Sequence, residues 1–205
     1  MFRNINVTAV LAFVFFLGGC AFGTRQPTLI YPPTQVPSEI SVAHADVIFP
    51  PKSVQIILKP FIDKRSDNVV GTVRNGFGMR TADVIPINNV SDWVTQAVAI
   101  ELRNNGYTVI SGTPDNDSRS LMVVVSGDIL NVFCDAYFNY SGQVSLVTRA
   151  SRGGKGFLYK HYSGEGSAGT NWAASEESYA QSLALALSSA LRLFVSDLNK
   201  SLTSD

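Results

Sequence analysis

Cys20, Cys134, His44 and His161 are the residues of this chain best suited to nucleophilic, redox or metal chemistry, and their spacing denies them most of it. Neither histidine has a Cys, His or carboxylate at a metal-ligand spacing, so no metal site is expected. Gly153-Gly154-Lys155-Gly156 lacks the Ser or Thr that follows the lysine of a phosphate loop. It also sits between two predicted strands rather than before a helix, so it reads as a hairpin turn. Asp115, Asp117 and Asp128 do not have EF-hand spacing, and no Gly-x-Ser-x-Gly elbow is present. Asp63 and Arg65 read as a structural ion pair at a strand end in preference to a binding loop with Asp67 and Arg74. No catalytic residue and no cofactor is expected. A hydrolase is the least supported class, because it needs a clustered nucleophile and base.

The one firm chemical signal is at the N-terminus. Met1–Asn6 carries a single charge, Arg3, and Val7–Leu17 is an apolar run. A spanning helix needs about 20 apolar residues, so residues 1–19 read as a signal peptide. Its end, Leu17-Gly18-Gly19-Cys20, resembles the lipobox of bacterial lipoproteins. That resemblance implies a diacylglyceryl group on the Cys20 thiol, cleavage before it, and acylation of the new amino group. One acyl chain binds a membrane marginally and several hold essentially permanently. Ala21-Phe22 follows where an aspartate would resemble an inner-membrane retention signal, which implies the outer membrane, on its periplasmic side. With Cys20 acylated, Cys134 has no intrachain partner. It is then a buried small apolar residue, an exposed thiol or half of an intermolecular bridge.

Basic and acidic residues balance at 16 each. Nucleic acid as a partner would need a basic surface, and an anionic membrane a polybasic patch, so neither is supported on charge. A hydrophobic content of 45% with 16% charged residues is enough for one buried core.

Residues 20–52 read as an acylated tether holding Pro27, Pro32, Pro33, Pro37, Pro50 and Pro51 of the nine prolines. In extended form about thirty such residues reach on the order of 90 Å. The folded domain is expected over 53–205. Ser53–Phe61 reads as a strand and Asp63–Arg80 as an irregular excursion, or a short hairpin through Val69–Arg74. Ser91–Asn105 reads as a helix capped by Ser91, with Gly106 at its end. Its apolar stripe of Trp93, Val94, Ala97, Val98 and Leu102 is interrupted by Glu101. Tyr107–Ser111, Leu121–Val132, Phe138–Ala150 and Gly156–Gly166 read as strands. Glu176–Ser201 reads as a final helix capped by Ser175, with Tyr179, Leu183, Leu187, Ala190, Leu191, Phe194 and Leu198 on one stripe. The order predicts an α+β domain: one mostly antiparallel sheet of about five strands with two helices packed on one face.

Phe133, Tyr137, Phe138 and Tyr140 cluster around Cys134, near a strand junction where turns are usually polar. Either the rings cover one end of the core, or they form an exposed patch and a candidate partner surface.

These features together resemble the YajG family of bacterial lipoproteins, whose function is uncharacterised. The likeness lies in Leu17–Cys20, in Trp93-Val94-x-x-Ala97-Val98-x-x-Glu101-Leu102 running into Asn105-Gly106-Tyr107, and in Ser163–Ala168 before the Ala/Leu-rich helix Tyr179–Leu198. It covers most of residues 53–200 and brings no catalytic residue. The expected function is that of a membrane-anchored envelope module that is not an enzyme. It would act on a protein partner or as a homo-oligomer. A small-ligand or lipid-binding module, with its site between sheet and helices, is the alternative.

Overall fold

Three long antiparallel strands form the backbone of the domain: β6 (Val123–Ala136), β7 (Asn139–Arg152) and β8 (Lys155–Thr170). A computed structural model describes residues 23–31, 54–110, 122–171 and 174–203. Alternation fixes the faces of the long strands. Val132, Cys134, Ala136, Tyr140, Val144, Leu146 and Tyr162 are buried on one side, while Gln143, Tyr159 and His161 point to the other. Gly153 and Gly154, both with positive φ, make the tight turn between β7 and β8.

The remaining strands are short: β1 (Gln55–Leu58), β2 (Ile62–Asp63), β3 (Gly71–Arg74), β4 (Arg80–Val84) and β5 (Thr108–Ile110). They complete an eight-stranded sheet that is mixed, larger than the expected five strands and not mostly antiparallel. The difference comes from the excursion after Phe61. Instead of leaving the sheet, it returns twice to the same edge of β6. There β1, β2 and β3 pair in succession, all parallel to it, at Ile56↔Val123, Ile62↔Asp128 and Gly71↔Cys134. A bulge in β6 between Ile129 and Asn131 leaves Leu130 exposed beside β2. β3 also forms a hairpin with β4, so the expected short hairpin exists with a later partner strand. Asp63 and Arg65 pair through two hydrogen bonds, 3.0 and 2.8 Å, and Arg65 Nη1 donates to the Val69 carbonyl. That is the structural pair read from the sequence.

Helix α1 (Val90–Asn104) begins one residue before its predicted start. Asn89, not Ser91, is its cap: Asn89 Oδ1 accepts from the Asp92 N–H at 3.2 Å. Ser91 instead donates to the Phe61 carbonyl. Thr95 Oγ1 accepts from the Phe61 N–H at 2.9 Å, so α1 is fastened to the chain between β1 and β2. Gly106, φ +86°, ends the helix as predicted. Helix α2 (Glu176–Thr203) buries its whole predicted stripe, and Ser175 Oγ accepts from the Ser178 N–H at its start. The two helices pack against each other. Tyr107 on the turn after α1 donates to Asn199 of α2.

Residues 23–31 lie against the domain, although the sequence assigns them to the tether. Arg25 bridges Val84 in parallel, with its N–H donating to the Asp83 carbonyl at 3.0 Å. Leu29 is buried, and the Asn88 side chain brackets it, accepting from its N–H at 2.8 Å and donating to its carbonyl at 3.0 Å. Tyr31 donates to Glu101, which accounts for the acidic interruption in the α1 stripe. Burial and the Glu101 carboxylate both push the Tyr31 hydroxyl up from its ordinary range.

Candidate functional site

Cys20 and His44 lie outside the described residues. Cys134 is fully buried, which settles its side chain as a small apolar filler. Its Sγ sits 3.6 Å from Ser182 Oγ under α2. Burial pushes its thiol up to about 12, so it holds its proton at physiological pH.

The four aromatic residues grouped by the sequence do not share one surface. Tyr140 belongs to the core. It meets Tyr179 edge-on at 5.0 Å, and its hydroxyl accepts from the Ser175 N–H at 2.7 Å. Phe133 points to the opposite side of β6, toward a surface hollow of about 250 Å³ that is also lined by Arg65, Asp67, Arg80 and Asn131. Tyr137 and Phe138 occupy the turn between β6 and β7, their rings 4.0 Å apart, and Phe138 is 70% exposed. The Asn171 N–H holds this turn through the Phe138 carbonyl at 2.7 Å.

Tertiary structure adds a second turn beside the first. Because β3 runs parallel to β6 through Val73↔Ala136, the β3–β4 hairpin tip reaches Tyr137. Tyr137 Oη lies 3.4 Å from the Gly76 carbonyl, and the Tyr137 ring lies against Gly78. The tip carries Phe77, 89% exposed, and Met79, 59% exposed. Its shape is heavily constrained. Asn75 Oδ1 accepts from the N–H groups of Phe77 and Met79, both at 3.0 Å. The Gly78 N–H donates to the Asn75 carbonyl at 2.9 Å. Arg74 spans the base, bound to Asp135 at 2.7 Å and to the Gly78 carbonyl at 2.9 Å. Gly78 takes φ +81°, which a side chain would resist. Sequence reading passed over Phe77 and Met79, yet their signal is of the same kind as that of Tyr137 and Phe138: large apolar residues inside a glycine-rich turn.

The outer face of β6–β8 is open and polar. Ser145 Oγ stands 2.7 Å from His161 Nε2 and 2.9 Å from Ser163 Oγ. Arg149 bridges Asp128 at 2.5 Å and lies over the Tyr159 ring. His161 thus does have a hydroxyl neighbour, which a reading along the chain missed because β7 and β8 bring it from sixteen residues away. Among the described residues no carboxylate orients the imidazole, and no group of three or more His, Cys, Asp or Glu is placed to hold a metal ion.

The inner face leaves no space for a ligand where α2 crosses Gly142, Gly164 and Gly166. A Cβ on Gly142 would lie 2.6 Å from the Ser182 carbonyl oxygen, one on Gly164 2.1 Å from that of Ala186, and one on Gly166 2.4 Å from the Ala186 nitrogen. Helix backbone rests directly on sheet backbone. A chamber between sheet and helices, the alternative expected from the sequence, is closed at this contact. Among the described residues no helix is long and apolar enough to cross a membrane.

No family model matches the sequence, and no curated protein matches it. Solved structures do share the fold. A Xanthomonas campestris protein, XCC0632, described under the family DUF330, is similar with a TM-score of 0.58 and 10% identity over 89% of this chain and 98% of its own. The hypothetical protein CT253 of Chlamydia trachomatis is similar with a TM-score of 0.50 and 10% identity over 75% of this chain and 100% of its own. None of these likenesses establishes the YajG resemblance; at such identity what is shared is the fold, an α+β architecture found in bacterial proteins from two distant sources.

Proposed function

We propose that this chain is an envelope lipoprotein, acylated at Cys20 and facing the periplasm from the outer membrane. Its domain would work by binding a protein partner or further copies of itself, without catalysis. The observation that carries this reading is the direct seating of α2 on Gly142, Gly164 and Gly166. With the interior filled there, recognition falls to the outside, where the β6–β8 face offers Ser145, His161, Ser163, Tyr159 and the Arg149–Asp128 pair. The Ser145–His161 pair supports a hydrogen-bonding surface better than a hydrolytic site. It lies on an open sheet face without an orienting acid, and such a site needs a positioned base and a shielded oxyanion.

Two measurements test the reading. Cys20→Ser should abolish fatty-acid labelling and signal cleavage, and persistent labelling would refute the anchor. A photo-crosslinker at Tyr159, on the outer face, should capture one defined envelope protein or a second copy in intact cells. Recovery of the monomer alone from that position would count against an interaction module.

A further inference from the structure

We propose that the end of the domain formed by Phe77, Met79 and Phe138, braced by Tyr137, docks onto the bilayer that holds the Cys20 acyl chains. The proposal rests on acylation at Cys20, and it replaces a domain held away on a long spacer with one seated at the membrane surface.

Chain direction and chain length place the anchor at this end. Residues 23–31 run parallel to β4, with Arg25 opposite Val84 and Leu29 held by Asn88. Following the segment backward therefore leads along β4 toward its first residue, Arg80. Thr24 lines the same surface hollow as Arg80 and Thr81, and Met79 is the residue before Arg80. Cys20 is three residues from Gly23, and three residues span at most about 10 Å. The proline-rich stretch lies on the far side of residues 23–31 in the sequence. It joins residue 31 to β1 and adds nothing to the reach of the anchor.

The surface at this end has the chemistry of an interfacial contact. Phe77, Met79 and Phe138 are three of the exposed large hydrophobic side chains of the described residues. Tyr137 links the two turns that carry them. Aromatic and other apolar side chains settle at the boundary between headgroups and acyl chains, where both rings and polar backbone are tolerated. The hydrogen bonds of Asn75 and Arg74 hold the tip open before any contact, so little ordering is required on docking. Several acyl chains on Cys20 would already hold the protein at the bilayer essentially permanently, so a further contact sets orientation and not retention. That contact would orient the domain, directing the β6–β7 turn at the bilayer.

The test uses the acylated full-length mature protein reconstituted in phosphatidylethanolamine–phosphatidylglycerol vesicles. Phe77→Cys and Phe138→Cys carry an environment-sensitive fluorophore, with Ile87→Cys and Tyr159→Cys as controls away from this end. Acylation blocks Cys20, and burial shields Cys134 from the label. The expected result is a blue shift and quenching by brominated acyl chains at positions 77 and 138, and neither at 87 or 159. Vesicle-bound, fatty-acid-labelled protein whose probes at 77 and 138 stay in water would overturn the proposal and leave the anchor intact. Protein without fatty acid would overturn the anchor itself and the proposal with it. Shifts in intact cells but none on lipid vesicles would assign this end to a protein partner and likewise overturn bilayer docking.

Discussion

Cys134 shows how one side chain can be chemically potent by type and inert by position. Its Sγ packs under α2 beside Ser182, and the loss of solvent raises its thiol from an ordinary 9.0 to about 12. A raised thiol contributes stability that is fully present below its unfolded value and is lost as pH climbs through the folded one. Burial raises the Tyr107 hydroxyl in the same sense, from 10.0 to about 12. The domain should therefore hold a constant melting temperature from neutral pH to about pH 9, then lose stability progressively between pH 9 and 12. Thermal melts across that range check this, and an unchanged melting temperature at pH 11.5 would contradict it. In the same window of neutral pH a thiol reagent should react with Cys134 only after unfolding. The sequence left three fates open for this residue, because burial depends on which face of β6 meets the helix. Alternation within β6 does not say which face that is.

Among the elements, α2 and the β7–β8 pair form the tightest junction. The apolar stripe from Tyr179 to Leu198 was legible, since a period of 3.6 residues is written locally. The close approach was not. It needs Ser182 and Ala186 to face Gly142, Gly164 and Gly166, and that depends on how far β7 is staggered against β8 (Gly142↔Gly166, Val144↔Gly164). Gly164→Ala should cost about 3 kcal/mol or more through overpacking. That corresponds to a fall of roughly 6–12 °C in melting temperature for a domain of this size. Gly156→Ala is the matched control in the same strand, with nothing within 4 Å of the added carbon. It should leave the melting temperature unchanged or slightly raised. Equal effects of the two substitutions would show that α2 does not sit on the sheet backbone.

At the level of the assembled chain, the consequential contact is that of residues 23–31. Proline content marked 20–52 as spacer, and composition cannot distinguish a free spacer from a strap. The strap is made by Leu29, the Asn88 bracket and the Arg25–Val84 bridge, with the Gln26 N–H donating to Glu176 at 2.9 Å. Asn88→Ala removes two hydrogen bonds of about 1 kcal/mol each. It should raise the detached fraction of the strap roughly 30-fold. Trypsin cleavage after Arg25 reads this directly, slow in the parent and fast in the variant; equal rates would mean the strap is not held by Asn88. On the proposed acylation at Cys20, the freed segment would restore a long reach, and the variant should also lose the proposed bilayer docking of Phe77 and Phe138.

Local pattern was enough for the two helices, the three long strands and the turn glycines, because each is specified by neighbours a few residues apart. The resemblance of Leu17–Cys20 to a lipobox, too, lies in adjacent residues. The parallel stacking of β1, β2 and β3 on one edge of β6, the Ser145–His161 pair, the seat of α2 and the gathering of Phe77 with Phe138 all join residues distant in the chain. Those depend on strand register and chain return. Register is set by the balance of contacts across the whole sheet, which no single segment encodes.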